Sequence, residues 1–220
     1  MSATTGVASK MLTTLQGTRT ELHPEAEAAL AAYRYSVFVE TLGWNLPCGH
    51  GFERDQFDRP DTVYVVAKDS SGAICGCARL LPTTQPYLLA EVFPQLLWGL
   101  AIPRDGEIWE LSRFSTQPPK GSDPLSREAA RDRFCALFAA VARSAISRGA
   151  ARLITFTALG VERILRVIGI HAHRIGPPTL VDGKPVLAMW IELDRQTRDA
   201  LDIECVDDAL VAEQRTPGIV

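Results

Sequence analysis

No apolar run in this chain approaches the roughly 20 residues that a membrane-spanning helix needs, and a membrane-embedded enzyme is therefore not expected. The first sixteen residues lack a long apolar core and a cleavage site, so no signal peptide is expected. Cysteine is sparse: five residues, Cys48, Cys75, Cys77, Cys135 and Cys205, at irregular spacing. An odd number without a repeating pattern argues against a disulfide framework and for reduced thiols in the cytoplasm. Cys75-x-Cys77 has no second pair, and no histidine lies nearby in sequence, so zinc is not expected and no metal site is assigned. His171-x-His173 lacks a third ligand at a telling spacing and is assigned to the surface. There is no Gly-x-x-x-x-Gly-Lys phosphate loop, no Gly-x-Gly-x-x-Gly dinucleotide turn and no Gly-x-Ser-x-Gly elbow. These absences set aside the commonest nucleotide-binding and serine-hydrolase machineries.

What remains is an ordinary soluble composition, 46% apolar and 22% charged over 220 residues, sized for one α/β domain. The net charge of −3 conceals an asymmetry: residues 113–175 carry eleven Lys/Arg against four acids. A basic half on an acidic chain fits either an acidic partner docked on one face or a solvated helix face. It shows no helix-turn-helix, zinc-ligand or RNA-sheet signature, so nucleic acid is not expected as a partner.

Taken in order, residues 1–20 read as a polar tail or one early strand. Pro24 opens a helix on which Leu30, Tyr33 and Val37 recur, with Arg34 and Phe38 one turn apart, and Gly43 closes it. Residues 43–60 are irregular, rich in Gly, Pro, aromatics and charge, and read as a binding loop. Residues 62–68 and 73–81 are strands of a hairpin around Asp69-Ser70-Ser71-Gly72. Alternation puts Cys75, Cys77 and Arg79 on one face. Residues 88–100 are a short connection broken by Pro94. Residues 107–115 form the central strand. Asp123-Pro124 is expected to cap a long helix ending near Gly149, with Phe134, Leu137, Phe138, Val141 and Ala145 as its apolar stripe. A strand at 152–157, a helix at 160–169 and strands at 171–175 and 185–193 follow. From Asp194 the chain is polar and acidic, a helix plus tail. The domain division expected is 1–20 tail or first strand, 21–195 one catalytic domain, and 196–220 acidic helix and tail.

The chemistry concentrates at Trp109-Glu110-Leu111-Ser112-Arg113-Phe114. A carboxylate and a guanidinium on a buried strand must be paired or used. Glu53, Asp55, Asp58 and Glu110 match Arg34, Arg79 and Arg113 in charge. Mutual pairing is one reading. A site for a small zwitterionic or cationic ligand, with Trp44 and Phe38 as aromatic faces, is the other. Strict alternation would put Glu110 and Arg113 on opposite faces, so one site for both requires a strand irregularity near Ser112.

Arg34-x-x-x-Phe38, Trp44, Glu53-x-Asp55-x-x-Asp58, Cys77-Ala78-Arg79-Leu80-Leu81-Pro82-Thr83 and the Trp109–Phe114 hexapeptide, in this order between residues 28 and 194, resemble the acyl-homoserine lactone synthases of bacterial quorum sensing. Glu162-Arg163-x-Leu165-Arg166-x-x-Gly169-x-His171-Ala172-His173-Arg174 is similar to the branch that makes octanoyl and related medium-chain lactones. The resemblance implies the Gcn5-related N-acyltransferase fold, a three-layer α/β/α sandwich whose mixed, twisted sheet has splayed central strands. It implies S-adenosylmethionine as a substrate, no cofactor, and a medium-chain acyl thioester on acyl carrier protein or coenzyme A. Gln117-Pro118-Pro119-Lys120-Gly121-Ser122 departs from the Arg/Gln-x-x-Gly-x-Gly/Ala loop of simple coenzyme A users, which favours another donor.

On this resemblance Glu110 is the candidate base, and Arg113, Asp58 and Arg79 complete the catalytic set. Arg34, Phe38, Trp44, Asp55, Asp58 and Arg113 bind the sulfonium substrate. Ser112, Phe114, Phe156, Thr157, Leu165 and Trp190 line the acyl groove, with Thr157 near the third carbon of the chain. Arg127, Arg131, Arg143 and Arg148 dock the carrier. A general coenzyme A-dependent N-acyltransferase and a ligand-sensing domain without activity are the alternatives. Chain length, third-carbon oxidation, donor type and oligomeric state are not legible in the residues.

Overall fold

The computed structural model describes residues 12–49, 51–118 and 121–203. The sheet runs β1 (Thr13–Thr18), β2 (Val63–Lys68), β3 (Ile74–Pro82), β4 (Ile108–Ser115), β5 (Arg152–Ala158), β8 (Lys184–Glu192) and β6 (Ala172–Arg174), with β7 (Thr179–Val181) also paired to β8. All neighbours are antiparallel except β4 and β5. Helices α3 (Arg127–Ile146) and α4 (Leu159–Ile168) cover one face, and α1 (Pro24–Arg34) and α2 (Leu88–Val92) cover the other. A short helix α5 (Arg195–Ala200) follows β8. The expected three-layer α/β/α arrangement is present. The predicted acidic tail and Cys205 lie outside the described residues.

The α3–α4 face holds the larger core. Phe134, Leu137, Phe138, Val141 and Ala145, the stripe expected on α3, are all buried there with Val65, Ala78, Leu80, Leu111 and Leu153. The helix begins later than expected: Ser126, not Asp123-Pro124, is its N-cap, and its hydroxyl accepts the Ala129 N–H at 3.1 Å. Both sites offer an oxygen side chain near the helix start, and only Ser126 stands three residues before a free N–H.

Two one-residue insertions shape the sheet. In β3, Ala67 and Lys68 of β2 face Gly76 and Ile74, so Cys75 is the extra residue. It joins the α3 side while Cys77 packs beside Phe38 and Tyr64 on the other, which corrects the expectation that Cys75 shares a face with Cys77 and Arg79. In β4, Cys77 and Arg79 of β3 pair with Ser115 and Ser112, so two residues of β4 lie opposite one of β3. The irregularity expected near Ser112 is therefore present, centred on Arg113, whose φ is +51°. A non-glycine residue in that region is held there by its surroundings. The insertion turns Ser112 and Arg113 toward the α1 side, while Leu111 and Phe114 pack toward α3.

β4 and β5 run parallel through the pairs Ile108↔Arg152 to Leu111↔Thr155 and no further, although both strands continue. Beyond Leu111 they part, as the splayed arrangement requires. Thr155 Oγ1 donates to the Leu111 carbonyl at 2.8 Å at the point of divergence. Thr155→Val keeps the shape and strands that buried carbonyl, so it should cost about 1–3 kcal/mol in denaturant unfolding. Thr155→Ser should restore most of the loss.

Candidate active site

α1 ends at Arg34 and passes into a π-helical turn, Tyr35–Thr41. Wide turns of this kind occur mostly at functional sites. Leu42 N–H reaches the Val37 carbonyl at 2.9 Å and Trp44 N–H the Phe38 carbonyl at 2.9 Å. The chain is thereby folded back so that the Trp44 ring stacks on Phe38, with centroids 4.8 Å apart. Gly43, at φ +66°, makes the reversal.

The loop that follows carries Glu53, Asp55 and Asp58 against Arg34, Arg79 and Arg113. Arg34 holds Asp58 with Nη1 and Nη2 at 2.8 and 3.1 Å, and its Nε donates to Glu53. Arg79 Nη1 lies 2.6 Å from Asp55 Oδ1 and 3.1 Å from Asp58 Oδ1. Arg113 Nη2 lies 3.0 Å from Glu53 Oε1 and 2.9 Å from Asp55 Oδ2. Tyr64, opposite Arg79 on β2, donates to Asp58 Oδ1 at 2.6 Å. The Arg113 guanidinium also lies 5.6 Å from the Phe38 ring and 5.7 Å from the Trp44 ring. Mutual pairing of the acids and arginines is thus real, and it assembles Arg34, Phe38, Trp44, Asp55, Asp58, Arg79 and Arg113 in one place. Burial would push the carboxyls of Asp58 and Glu53 up. Arg34 with Arg79 at Asp58, and Arg34 with Arg113 at Glu53, outweigh it and hold both below their usual range.

Glu110 differs. It lies on the same face of β4, two residues before Ser112, which accepts from Arg79 Nε at 3.1 Å. Its Oε2 accepts the Leu89 N–H at 2.6 Å. Its Oε1 and the Nη2 of Arg79 are buried without a protein hydrogen-bond partner. Burial raises the proton affinity of Glu110, opposed by the Leu89 N–H and by Arg79. Cys77 supports the strand insertion, its Sγ donating to the Arg113 carbonyl at 3.1 Å, and burial pushes its thiol up to about 12, so it stays a donor.

The acyl candidates divide between the two faces. Phe114 packs on Phe134 and Phe138, at 5.0 and 5.8 Å, on the α3–α4 side. Leu165 is buried in the same core, and strand alternation puts Thr157 on that face. Phe156 and Trp190 lie on the opposite side, Phe156 against Phe93 at 4.8 Å and Trp190 under Arg152 at 4.9 Å. They pack on the opposite face of the sheet from Phe114. On the α3–α4 side a groove of about 480 Å³ is lined by Phe134, Ile164, Val167 and Ile168 and rimmed by Arg127, Arg131 and Arg163. Arg143 sits twelve residues beyond Arg131, about 18 Å along the helix. Arg148 caps the far end of α3, with Nη1 2.9 Å from the Ser144 carbonyl. The four docking candidates therefore form two separate groups. Among the described residues no group of three or more His, Cys, Asp or Glu is placed to hold a metal, and no helix is long and apolar enough to cross a membrane. His171 Nδ1 lies 2.6 Å from Asp194 Oδ2 at the surface.

Sequence reasoning missed Tyr64, the Leu89 N–H, and the groove residues Phe134 and Ile164. Only Tyr64 had a signal: it alternates onto the face that Arg79 occupies on the neighbouring strand.

Residues 20–201 match the family model described as autoinducer synthase. The chain is 51% identical over 180 residues to an acyl-homoserine-lactone synthase of Ralstonia solanacearum, covering 80% of this chain and 87% of that one. Among solved structures it is similar to TofI in a ternary complex with an inhibitor and MTA, at 47% identity and TM-score 0.76, over 87% of this chain and 97% of that one. It is also similar to BjaI, a CoA-dependent acyl-homoserine lactone synthase, bound to SAM and isopentyl-CoA, at 28% identity and TM-score 0.74, over 87% of each chain. A likeness of fold alone, at 20% identity and TM-score 0.55, extends to a Lactobacillus plantarum protein described as an N-acetyltransferase, over 83% of this chain and 99% of that one.

Because Asp58 and Glu53 are held below their unfolded values, their contribution is present above about pH 4 and is lost as the pH falls below it. Asp58→Asn takes one of two charged partners from buried Arg34 and from buried Arg79 and should cost about 3–5 kcal/mol at pH 7. In denaturant titrations the gap to wild type should narrow as the pH falls from 4 to 2. A gap constant with pH would exclude the charge as its source.

Proposed function

The chain belongs to the autoinducer synthase family, and from that premise we propose how its acyl-homoserine-lactone synthase activity is carried out. The nucleophile is S-adenosylmethionine and the acyl donor is a medium-chain thioester on acyl carrier protein, with coenzyme A as the other donor to test. The observation that carries this reading is the buried charge network beside the stacked Phe38 and Trp44 rings. A sulfonium amino acid offers one fixed cation, one ammonium and one carboxylate. Asp55 and Asp58 with the Trp44 face suit the cations, and Arg34 and Arg113 suit the carboxylate.

The amine must lose a proton before it can attack the thioester carbonyl. Glu110 is the base: its Oε1 has no protein partner, and burial raises its proton affinity above that of an ordinary glutamate. The carbonyl oxygen becomes an oxyanion as the C–N bond forms, and backbone N–H groups at the β4 insertion around Arg113 and Phe114 are the candidate donors. Collapse expels the carrier thiolate, which takes up the second proton of the nitrogen and leaves as the thiol, and the neutral amide remains. The carboxylate oxygen then attacks the carbon beside the sulfonium, the C–S bond breaks, and 5′-methylthioadenosine leaves with the electron pair. Phe114, Leu165 and Thr157, with Phe134 and Ile164, form the acyl side of the site. Phe156 and Trp190 are not used, because they face the other way. Arg127 and Arg131 with Arg163 form the carrier-facing rim, and the missing coenzyme A loop at 117–122 supports a carrier donor.

Incubation with S-adenosylmethionine and octanoyl carrier should release methylthioadenosine and acyl lactone in equal amounts. Amide without methylthioadenosine would reduce the protein to a general N-acyltransferase. Glu110→Gln should lower turnover by roughly 10²–10⁴ and remove an acidic limb of kcat/KM lying above the ordinary glutamate range. Unchanged turnover takes Glu110 out of that role. Arg131→Glu should raise the KM for the carrier thioester several-fold with the KM for S-adenosylmethionine unchanged, whereas Arg143→Glu should alter neither. The same loss from both arginines would argue for diffuse attraction rather than a docking rim.

A further inference from the structure

The loop over residues 51–61 has no helix or strand, yet it carries all three carboxylates of the network. Arg34 grips it from inside. A second grip lies outside. Arg54 stands between Glu53 and Asp55 in sequence, and its Nε and Nη2 reach Glu27 Oε1 and Oε2 on α1 at 2.9 and 2.7 Å. Arg19, just past the end of β1, lies 3.5 Å from the same Glu27 with its Nε and donates from Nη1 to the Asp58 carbonyl at 2.6 Å. The Glu53 N–H donates to the Ala31 carbonyl at 3.0 Å between the two grips. Glu27, Ala31 and Arg34 fall at i, i+4 and i+7, one face of α1. One helix stripe therefore holds the loop at both of its sides and at its backbone.

We propose that Glu27, Arg54 and Arg19 are positioning residues: an outer clamp that fixes the acid-bearing loop for the sulfonium substrate. None of the three contacts a side chain assigned to substrate, Arg19 reaching only the main-chain carbonyl of Asp58, and none belongs to the sequence motifs that identify the family. This inference rests on the substrate assignment above. Its physical basis is local. Arg54 and Arg19 are more than a third exposed, so their ion pairs add little to global stability. A loop without ladder hydrogen bonds opens at a free energy far below that of the whole domain. There a two-pronged guanidinium–carboxylate contact decides which conformation is populated. When a cation enters and competes with Arg79 and Arg113 for Asp55, the inner pairs rearrange. The outer clamp does not take part in that exchange and keeps the carboxylates in register.

The test is a cycle of Glu27→Gln, Arg54→Met and the double variant, with Arg54→Lys as the conservative change. The KM for S-adenosylmethionine should rise roughly three- to tenfold in each single variant, with kcat and the KM for the acyl thioester within twofold and the melting temperature unchanged. The double variant should be no worse than Glu27→Gln alone, because that change already removes the Arg54 contact together with the Arg19 one. Arg54→Lys should fall between. Hydrogen exchange without any ligand should quicken over 51–61 and not over β2–β4. Equal rises in both KM values, a double variant equal to the product of the singles, or unchanged exchange over the loop would overturn the clamp. Should the wild type release no methylthioadenosine, the substrate assignment fails instead, and the ligand-free exchange measurement then decides the clamp alone.

Discussion

Three guanidinium groups and three carboxylates, drawn from a helix end, a loop and two strands, neutralise one another under near-complete burial. Each charge alone would cost several kcal/mol to bury, so no member is stable inside without the rest. That constraint explains features that look like local defects. Arg113 adopts a positive φ because only the inserted residue turns its side chain to Glu53 and Asp55. The π-helical turn after Arg34 brings Phe38 and Trp44 onto that guanidinium. The loop 51–61 can stay irregular because its side chains, rather than a backbone ladder, hold it.

The sheet serves two tasks on two faces. The α1–α2 side gathers charge and aromatic surface around β3 and β4. The α3–α4 side is apolar, with arginines at its rim. Between them the parallel pair β4–β5 stops exchanging hydrogen bonds beyond Leu111 and Thr155. A two-substrate acyl transfer needs a polar site for the nucleophile and a dry one for the chain, meeting at one carbonyl, and a parted sheet supplies a boundary where both can meet. Glu110 stands on β4 just before the parting, anchored by the Leu89 N–H and with one oxygen uncommitted.

Much of this is legible in the residues. Alternation and the Asp69–Gly72 turn located the β2–β3 hairpin, and the stripe on α3 named its buried residues. The β4 insertion was expected for a chemical reason: Glu110 and Arg113 had to share a face. It sits on Arg113 itself rather than Ser112, a distinction that residue types do not encode. The insertion at Cys75 was illegible, because one extra residue in an apolar strand leaves the pattern plausible on either face. The acyl set was legible only in part. Phe114 and Phe156 are both aromatics on central strands, and which side each faces depends on register relative to insertions elsewhere. Charge density along the chain marks Arg127, Arg131, Arg143 and Arg148 together, but a 20-residue helix spreads Arg127 and Arg143 over most of its length. Arg54 and Glu27 left no mark because their role depends on where an irregular loop comes to rest.

The central claim is that the paired charges and the Phe38–Trp44 stack form the seat of the sulfonium substrate. A crystal structure with S-adenosylmethionine bound tests it most directly. The account predicts the sulfonium against Trp44 and Asp55, with the amine within hydrogen-bonding reach of Glu110 Oε1 or of a water on it. A ligand seated in the α3–α4 groove, or one leaving every arginine–carboxylate pair of the network untouched, would contradict it.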